Sequence, residues 1–218
     1  MKKKKKSQIA VSAETSKPNP TSDLPGELIP SQPPHFPSKF NQSIKQPGAL
    51  ICVKIFRATD RIDLIAKKII NEETPKDYQA VSVNFQWANK DVFTRSEKLL
   101  QWFCSKISWE LKLENTLAEF GQGGKPGNTK CTNYFETYLL PKIQTTLVLV
   151  LYNVELILEH QAIADNFFGL LRSWHESCAN KDSWKKLRFV IVHSQDIITN
   201  PPLNVAVFIE FAEPEAGE

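Results

Sequence analysis

From Ala49 onward the chain alternates short apolar runs with longer stretches in which apolar residues recur every three or four positions. ALICVKI, Ala49 to Ile55, predicts a strand; Ile62, Leu64, Ile65, Ile69 and Ile70 then return at helical spacing. AVSVNF, Ala80 to Phe85, predicts a second strand, followed by a helix over Phe93 to Leu113 with Leu100, Phe103, Ile107 and Leu111 on one face and Trp102 and Trp109 beside it. Gly121 to Gly127 breaks the pattern. Thr132 then caps a predicted short helix through Tyr134, Phe135, Tyr138 and Leu139, which Pro141 ends.

TLVLVLY, Thr146 to Tyr152, is apolar at odd and even positions alike, as a strand covered on both faces must be. A helix over His160 to Cys178 follows, with Ile163, Phe167, Leu171, Trp174 and Cys178 in one stripe. LRFVIVH, Leu187 to His193, and Asn204 to Ile209 are the last strands. Strands alternating with helices predict right-handed crossovers. The expectation is a three-layer α/β sandwich: a five-stranded, mainly parallel sheet with helices on both faces.

The first 46 residues lack either periodicity. Eight of the 14 prolines lie at or before Pro47, among Ser, Asn, Gln and Lys, so 1–46 reads as a disordered Lys- and Pro-rich tail, 47–212 as the folded domain and 213–218 as an acidic coil. Pro30 to Pro37 reads as linker, with a polyproline ligand as the alternative. Of the 27 basic and 24 acidic residues, eight and three fall in the tail, leaving it at +5 and the remainder at −2. The run Lys2, Lys3, Lys4, Lys5 and Lys6 has no interleaved aromatics; it fits a solvated terminus, or an electrostatic contact with nucleic acid or an anionic membrane.

Cys52, Cys104, Cys131 and Cys178 form no C-x-x-C pair, and the lysine run is followed by no hydrophobic leader. No apolar run reaches the roughly 20 residues a membrane-spanning helix needs. A soluble, cytoplasmic protein with reduced thiols is expected.

The blocks VSVNFQWA, QWFC, CTNYFETYLL, NFFGLLRSWHE and LRFVIVHS, in this order, resemble the AAA-like domain, a P-loop NTPase family related to the STAND and AAA proteins and found mainly in cyanobacteria, often beside signalling modules. The resemblance runs from about Gln46 to Phe211. It implies a sheet of order 5-1-4-3-2. In that family a phosphate loop reading roughly Ala-Pro-Arg-Gln-x-Gly-Lys-Thr-Ser-Leu follows the first strand; the same register here reads Ile55 to Leu64, IFRATDRIDL. Arg57 and Leu64 match. Asp60 stands at the glycine that lets the backbone approach phosphate, Arg61 at the lysine and Ile62 at the magnesium-binding hydroxyl. The family's Leu-Asp-Glu-Val-Asp, which supplies an acid for magnesium and one for water, is represented by Leu151-Tyr152-Asn153-Val154-Glu155. His193 and Ser194 match the end of the fourth strand, where P-loop proteins place a polar sensor; without phosphate they are expected to be structural.

These replacements change the chemistry in a consistent direction. A helix N-terminus draws anions through its free N–H groups. With Asp60 as N-cap and Asp63 three residues on, carboxylates of the chain itself compete for those groups. Arg61 is a bulky fork where a point charge is needed. Phosphoryl transfer depends on positioning and on charge neutralisation by lysine and magnesium, so the expectation is a pseudo-ATPase with no catalytic residues, no cofactor, no metal and no small-molecule substrate. A protein-interaction or regulatory scaffold role is favoured, the partner being another protein or a full-length relative. Two alternatives stay open: a magnesium-independent nucleotide sensor using Arg57, Arg61 and His193, and an electrostatic adaptor working through the lysine run.

Other motifs carry less. GQGGKPGNTK, Gly121 to Lys130, has Glu119 at the first glycine position of a phosphate loop, Pro126 where Ser or Thr belongs, and no strand leading into it, so it reads as a surface loop. His160, His175 and His193 lack metal-ligand spacing, and no G-x-S-x-G accompanies them. Phe167, Phe168 and Trp174 read as core rather than as an exposed partner surface.

Overall fold

A computed structural model describes residues 36–55, 62–121, 127–194 and 207–211. In chain order the elements are α1 (Ser38–Ser43), β1 (Leu50–Ile55), α2 (Ile62–Lys68), β2 (Gln79–Asn84), α3 (Ser96–Glu110), α4 (Gly127–Tyr134) and α5 (Leu140–Lys142). There follow β3 (Leu147–Tyr152), α6 (Glu155–Leu158), α7 (Gln161–Ser177), β4 (Leu187–His193) and β5 (Val207–Phe211). The five strands form one sheet in the order β2-β3-β4-β1-β5, every neighbouring pair parallel. Read from its other edge this is 5-1-4-3-2, the order the family resemblance implies.

All six residues of β3 and all seven of β4 are buried, because each strand has a neighbour on both sides and helices on both faces. Odd and even positions feed two separate cores. Leu147, Leu149, Leu151, Phe189 and Ile191 face a core built with α3, α4 and α7, where Phe103, Phe135, Phe167 and Trp174 interlock. Val148, Val150, Val190 and Val192 face the other, covered by α1 and α2. Phe167, Phe168 and Trp174 are all at 1% exposure, so the stripe on α7 is core.

The structure departs from the predicted elements in ways that have local causes. The helix expected over Phe93 to Leu113 is narrower: a 3-10 turn covers Lys90–Thr94, Arg95 is extended, and α3 starts at Ser96. It stops where Lys112 takes a left-handed φ of 56°. Thr132 caps nothing, since α4 already starts at Gly127; its Oγ1 instead accepts from Trp174 Nε1 at 2.9 Å. Pro141 does not end the helix either. A π turn over Phe135–Leu139 precedes it, and Pro141 enters at the first turn of α5, where a missing N–H costs little. The last strand is described over Val207–Phe211; positions 204–206 of its predicted span lie outside the described residues.

The tail boundary also moves. The disordered segment expected up to Gln46 contains α1, which starts directly after Pro37. Phe36, Phe40 and Ile44, four residues apart, are all buried against the β1 and β4 face. A six-residue helix is too short to be stable alone, so this burial is what holds it. Arg188, at 3% exposure, adds a polar staple: its Nε donates to Ile44 O at 3.0 Å and its Nη1 to Leu187 O at 3.0 Å. Four residues on, Gly48 O lies 2.6 Å from His175 Nδ1. Gly48 itself has φ +68°, and a Cβ there would sit 2.0 Å from Cys178 Sγ.

Replacing Phe40 with Ala is expected to lower unfolding stability by about 3 kcal/mol. Urea denaturation of the full chain measures this; a loss below about 0.5 kcal/mol would place α1 off the core.

Candidate functional site

In parallel sheets with helices on both faces, ligands bind beyond the carboxyl ends of the strands. The register here aligns Asn84 of β2 with Tyr152 of β3, Tyr152 with Val192 of β4, and His193 with Lys54 of β1, so these residues form one rim. Arg57, Asp60 and Arg61, the candidate positions after β1, lie outside the described residues. Ile62 is the first residue of α2 and is buried at 1% exposure, packed with Ile65 and Ile69 in the core beneath the sheet.

Tyr152 is the last residue of β3 and belongs to that same core. Burial pushes its phenol pKa up and the nearby Asp63 carboxylate pushes it further, while hydrogen bonding toward Ser82 and Asn84 works the other way. The phenol therefore stays protonated at neutral pH. Asn153 follows with a left-handed φ of 57°, a conformation that asparagine tolerates better than most residues. It is buried, and its Nδ2 donates to Asn84 Oδ1 at 2.8 Å. Asn84 Oδ1 also accepts from Gln86 N at 2.9 Å, capping the 3-10 turn that follows β2. The tips of β2 and β3 are thus tied by an amide pair.

His193 ends β4 at 1% exposure, and Ser194 follows it. Ser194 is held by Glu155, the first residue of α6: Glu155 Oε1 accepts from Ser194 N at 2.7 Å and from Ser194 Oγ at 3.0 Å. Its Oε2 is buried without a hydrogen-bond partner. Asn84 and Glu155 were not singled out from sequence. A polar residue closing a buried apolar strand was the available signal for Asn84, whereas the link from Glu155 to Ser194 crosses 39 positions and has no local signature.

The three described histidines, His160, His175 and His193, belong to different local arrangements. His160 stacks on Phe93 with ring centroids 6.0 Å apart, and His175 holds the Gly48 carbonyl. Among the described residues no group of three or more His, Cys, Asp or Glu side chains is placed to hold a metal ion. No helix among them is long and apolar enough to cross a membrane.

A sequence model of the AAA-like domain matches residues 32–215. No curated protein matches the chain. Among solved structures the chain is similar to the ORC2 protein of Aeropyrum pernix, determined as ADPNP–ADP complexes: TM-score 0.50, 16% identity, 74% of this chain and 40% of that one covered. The likeness is one of fold, and this chain spans about 40% of that protein's length. Drosophila ORC bound to AT-rich DNA and Cdc6 aligns with TM-score 0.38 and 9% identity over 73% of this chain and 43% of that one. Drosophila ORC bound to DNA aligns with TM-score 0.40 and 10% identity over 82% and 87%.

Two expectations follow from the rim. Asn153→Ala forfeits the bond to Asn84 and keeps the strained backbone, and should cost about 2 kcal/mol; Asn153→Gly relieves the strain and should cost about half as much. Equal losses in urea unfolding would mean that the left-handed backbone plays no part. For Tyr152, a folded pKa above the unfolded value of 10.0 means that its stabilising contribution is complete below pH 10 and is lost as pH rises through the folded pKa. Tyr152→Phe should therefore make the fall in stability between about pH 9 and 12 shallower than in the parent chain; an unchanged slope would count against a buried phenol.

Proposed function

The chain belongs to the AAA-like domain family, and from that premise we propose that it is a non-catalytic member acting through protein contacts rather than through NTP hydrolysis. The observation that carries this reading is the state of Tyr152 and Asn153. The resemblance sets them where the family has its magnesium-binding and water-activating acids, yet one is a buried, protonated phenol and the other a neutral amide bonded to Asn84. Neither offers an anion to a magnesium ion or a base to water. Ile62, buried in the position of the magnesium-binding hydroxyl, offers no oxygen at all. Magnesium nucleotide does not fit these residues, so no hydrolytic step is assigned to them.

A protein-contact role finds support on the surface. Trp87 and Trp109 are 59% and 70% exposed, and Lys106 Nζ lies 4.7 Å and 4.5 Å from their ring centroids. Glu110 fixes that ammonium at 2.6 Å. Tryptophan is the residue type most enriched where partner proteins bind tightly, and here the rings are ordered in advance by cation–π contact.

Calorimetry with ATP and GTP, with and without magnesium, should show no binding tighter than about 100 μM, and phosphate release should not exceed background. Tighter binding without magnesium would favour the sensor reading, and turnover would overturn both. The combined reversion Asp60→Gly, Arg61→Lys and Ile62→Thr should raise phosphate affinity measurably. No gain would show that the family register has been misplaced.

A further inference from the structure

Two of the four cysteines, 27 positions apart, meet inside the domain. Cys104 on α3 and Cys131 on α4 are at 0% and 1% exposure, and their sulfur atoms are 2.6 Å apart. Sulfur atoms this close are within reach of one another for a disulfide. At the start of α4, a Cβ on Gly127 would lie in ordinary contact with Leu100 Cδ1 at 3.4 Å, so the two helices pack directly there. We propose that Cys104 and Cys131 are a thiol pair that peroxide converts to an intramolecular disulfide clamping α3 to α4.

The two thiols are not equivalent. A shallow cleft between the helices, walled by Glu97, Gln101, Leu117 and Lys130, has Cys131 in its lining and not Cys104. Of the two, Cys131 is therefore the one placed nearer to solvent, and it takes the attacking role. Cys104 lies behind it; burial and its contact with Cys131 raise its pKa well above the ordinary thiol value, against a smaller opposing pull from the Lys130 ammonium. Its place 2.6 Å from the Cys131 sulfur, not its acidity, gives it the resolving role; the raised pKa slows that step. Hydrogen peroxide supplies the oxidising equivalents: the Cys131 sulfur attacks one peroxide oxygen, an S–O bond forms as the O–O bond breaks, and the leaving hydroxide takes the thiol proton as water. The Cys104 sulfur then attacks the Cys131 sulfur, the S–O bond breaks, and a second water carries off the remaining proton. Two thiols are oxidised by two electrons and one peroxide is reduced to two waters.

The other cysteines are placed to stay out of this reaction. Cys52 is sealed in β1 at 0% exposure, its pKa pushed up to about 12 by burial. Cys178, half-buried at the end of α7, has its Sγ donating to His175 O at 2.6 Å. The pair is independent of any nucleotide site, so the hydrolysis reading and this one stand or fall separately.

The test uses the reduced full chain treated with hydrogen peroxide, then unfolded and alkylated without reductant. Two of its four thiols should remain alkylatable, and trypsin should release LLQWFCSK (99–106) joined to CTNYFETYLLPK (131–142), two hydrogens lighter than the separate peptides together. The oxidised protein should melt about 5–10 °C higher than the reduced one, and dithiothreitol should reverse the shift. Cys52→Ala/Cys178→Ala should behave like the parent, whereas Cys104→Ala should leave a sulfenic or sulfinic acid on Cys131 and no melting shift. Four alkylatable thiols after oxidation, or a linked peptide containing Cys52 or Cys178 in place of the 104–131 pair, would overturn the proposal.

Discussion

Strand β3 can exist only where both of its faces are covered. Its first five residues are fully buried aliphatics, alternately committed to opposite cores. Their burial contributes on the order of 10 kcal/mol, comparable to the whole net stability of a domain, so exposure of either face would be decisive. Covering one face requires α3, α4 and α7; covering the other requires α2 and, less obviously, α1. The crossovers that deliver those helices make the sheet parallel, and a parallel sheet gathers the strand ends, with the loops that follow them, on one rim. The geometry of the candidate site is thus a consequence of how β3 is buried.

The same requirement explains how the segment before β1 is recruited. Phe36, Phe40 and Ile44 cover apolar surface beside β1 and β4 that α2 alone leaves open. Their backbone must be satisfied as well, and Arg188 provides this from β4. Its charge is buried against carbonyl oxygens, and desolvation holds its pKa below the usual guanidinium value. His175 from α7 secures the following turn at Gly48. Residues from two distant elements therefore fix the approach to β1, and with it the point at which the loop toward α2 begins.

How legible each part was in the sequence depended on whether its signal was local. A continuous apolar run marked β3 to within a residue, and the run Phe189 to Val192 marked β4 even though Arg188 and His193 stand at its ends. The stripe on α7 was equally clear, from Ile163 to Trp174. Helix α1 was hidden: its three apolar anchors stand among prolines and polar residues, and only the tertiary surface they meet makes them a helix. Pro141 misled because its effect depends on the turn before it, and that turn is of π type. At the rim, the departures at Ile62, Tyr152 and Asn153 could be read against a family pattern, but what those residues do instead could not. Asn84 bonding to Asn153, Glu155 to Ser194, and Cys104 meeting Cys131 are contacts between distant positions, and no spacing rule announces them.

Polar groups at the end of a parallel sheet need partners whether or not a ligand is bound, since a buried, unpaired donor or acceptor costs about as much as a hydrogen bond is worth. A rim built to hold phosphate and magnesium would be expected to leave such groups directed outward until the ligand arrives. Here the described part of the rim satisfies most of them internally: Asn153 donates to Asn84, Gln86 N to Asn84, and Ser194 N and Oγ to Glu155. Glu155 Oε2, on the carboxylate that holds Ser194, is buried without a hydrogen-bond partner. A carboxyl group at this position adds no attraction for phosphate. This is the physical ground for proposing a domain that keeps the fold and works through its surface: the polar groups described at its strand tips are bonded mainly within the chain itself.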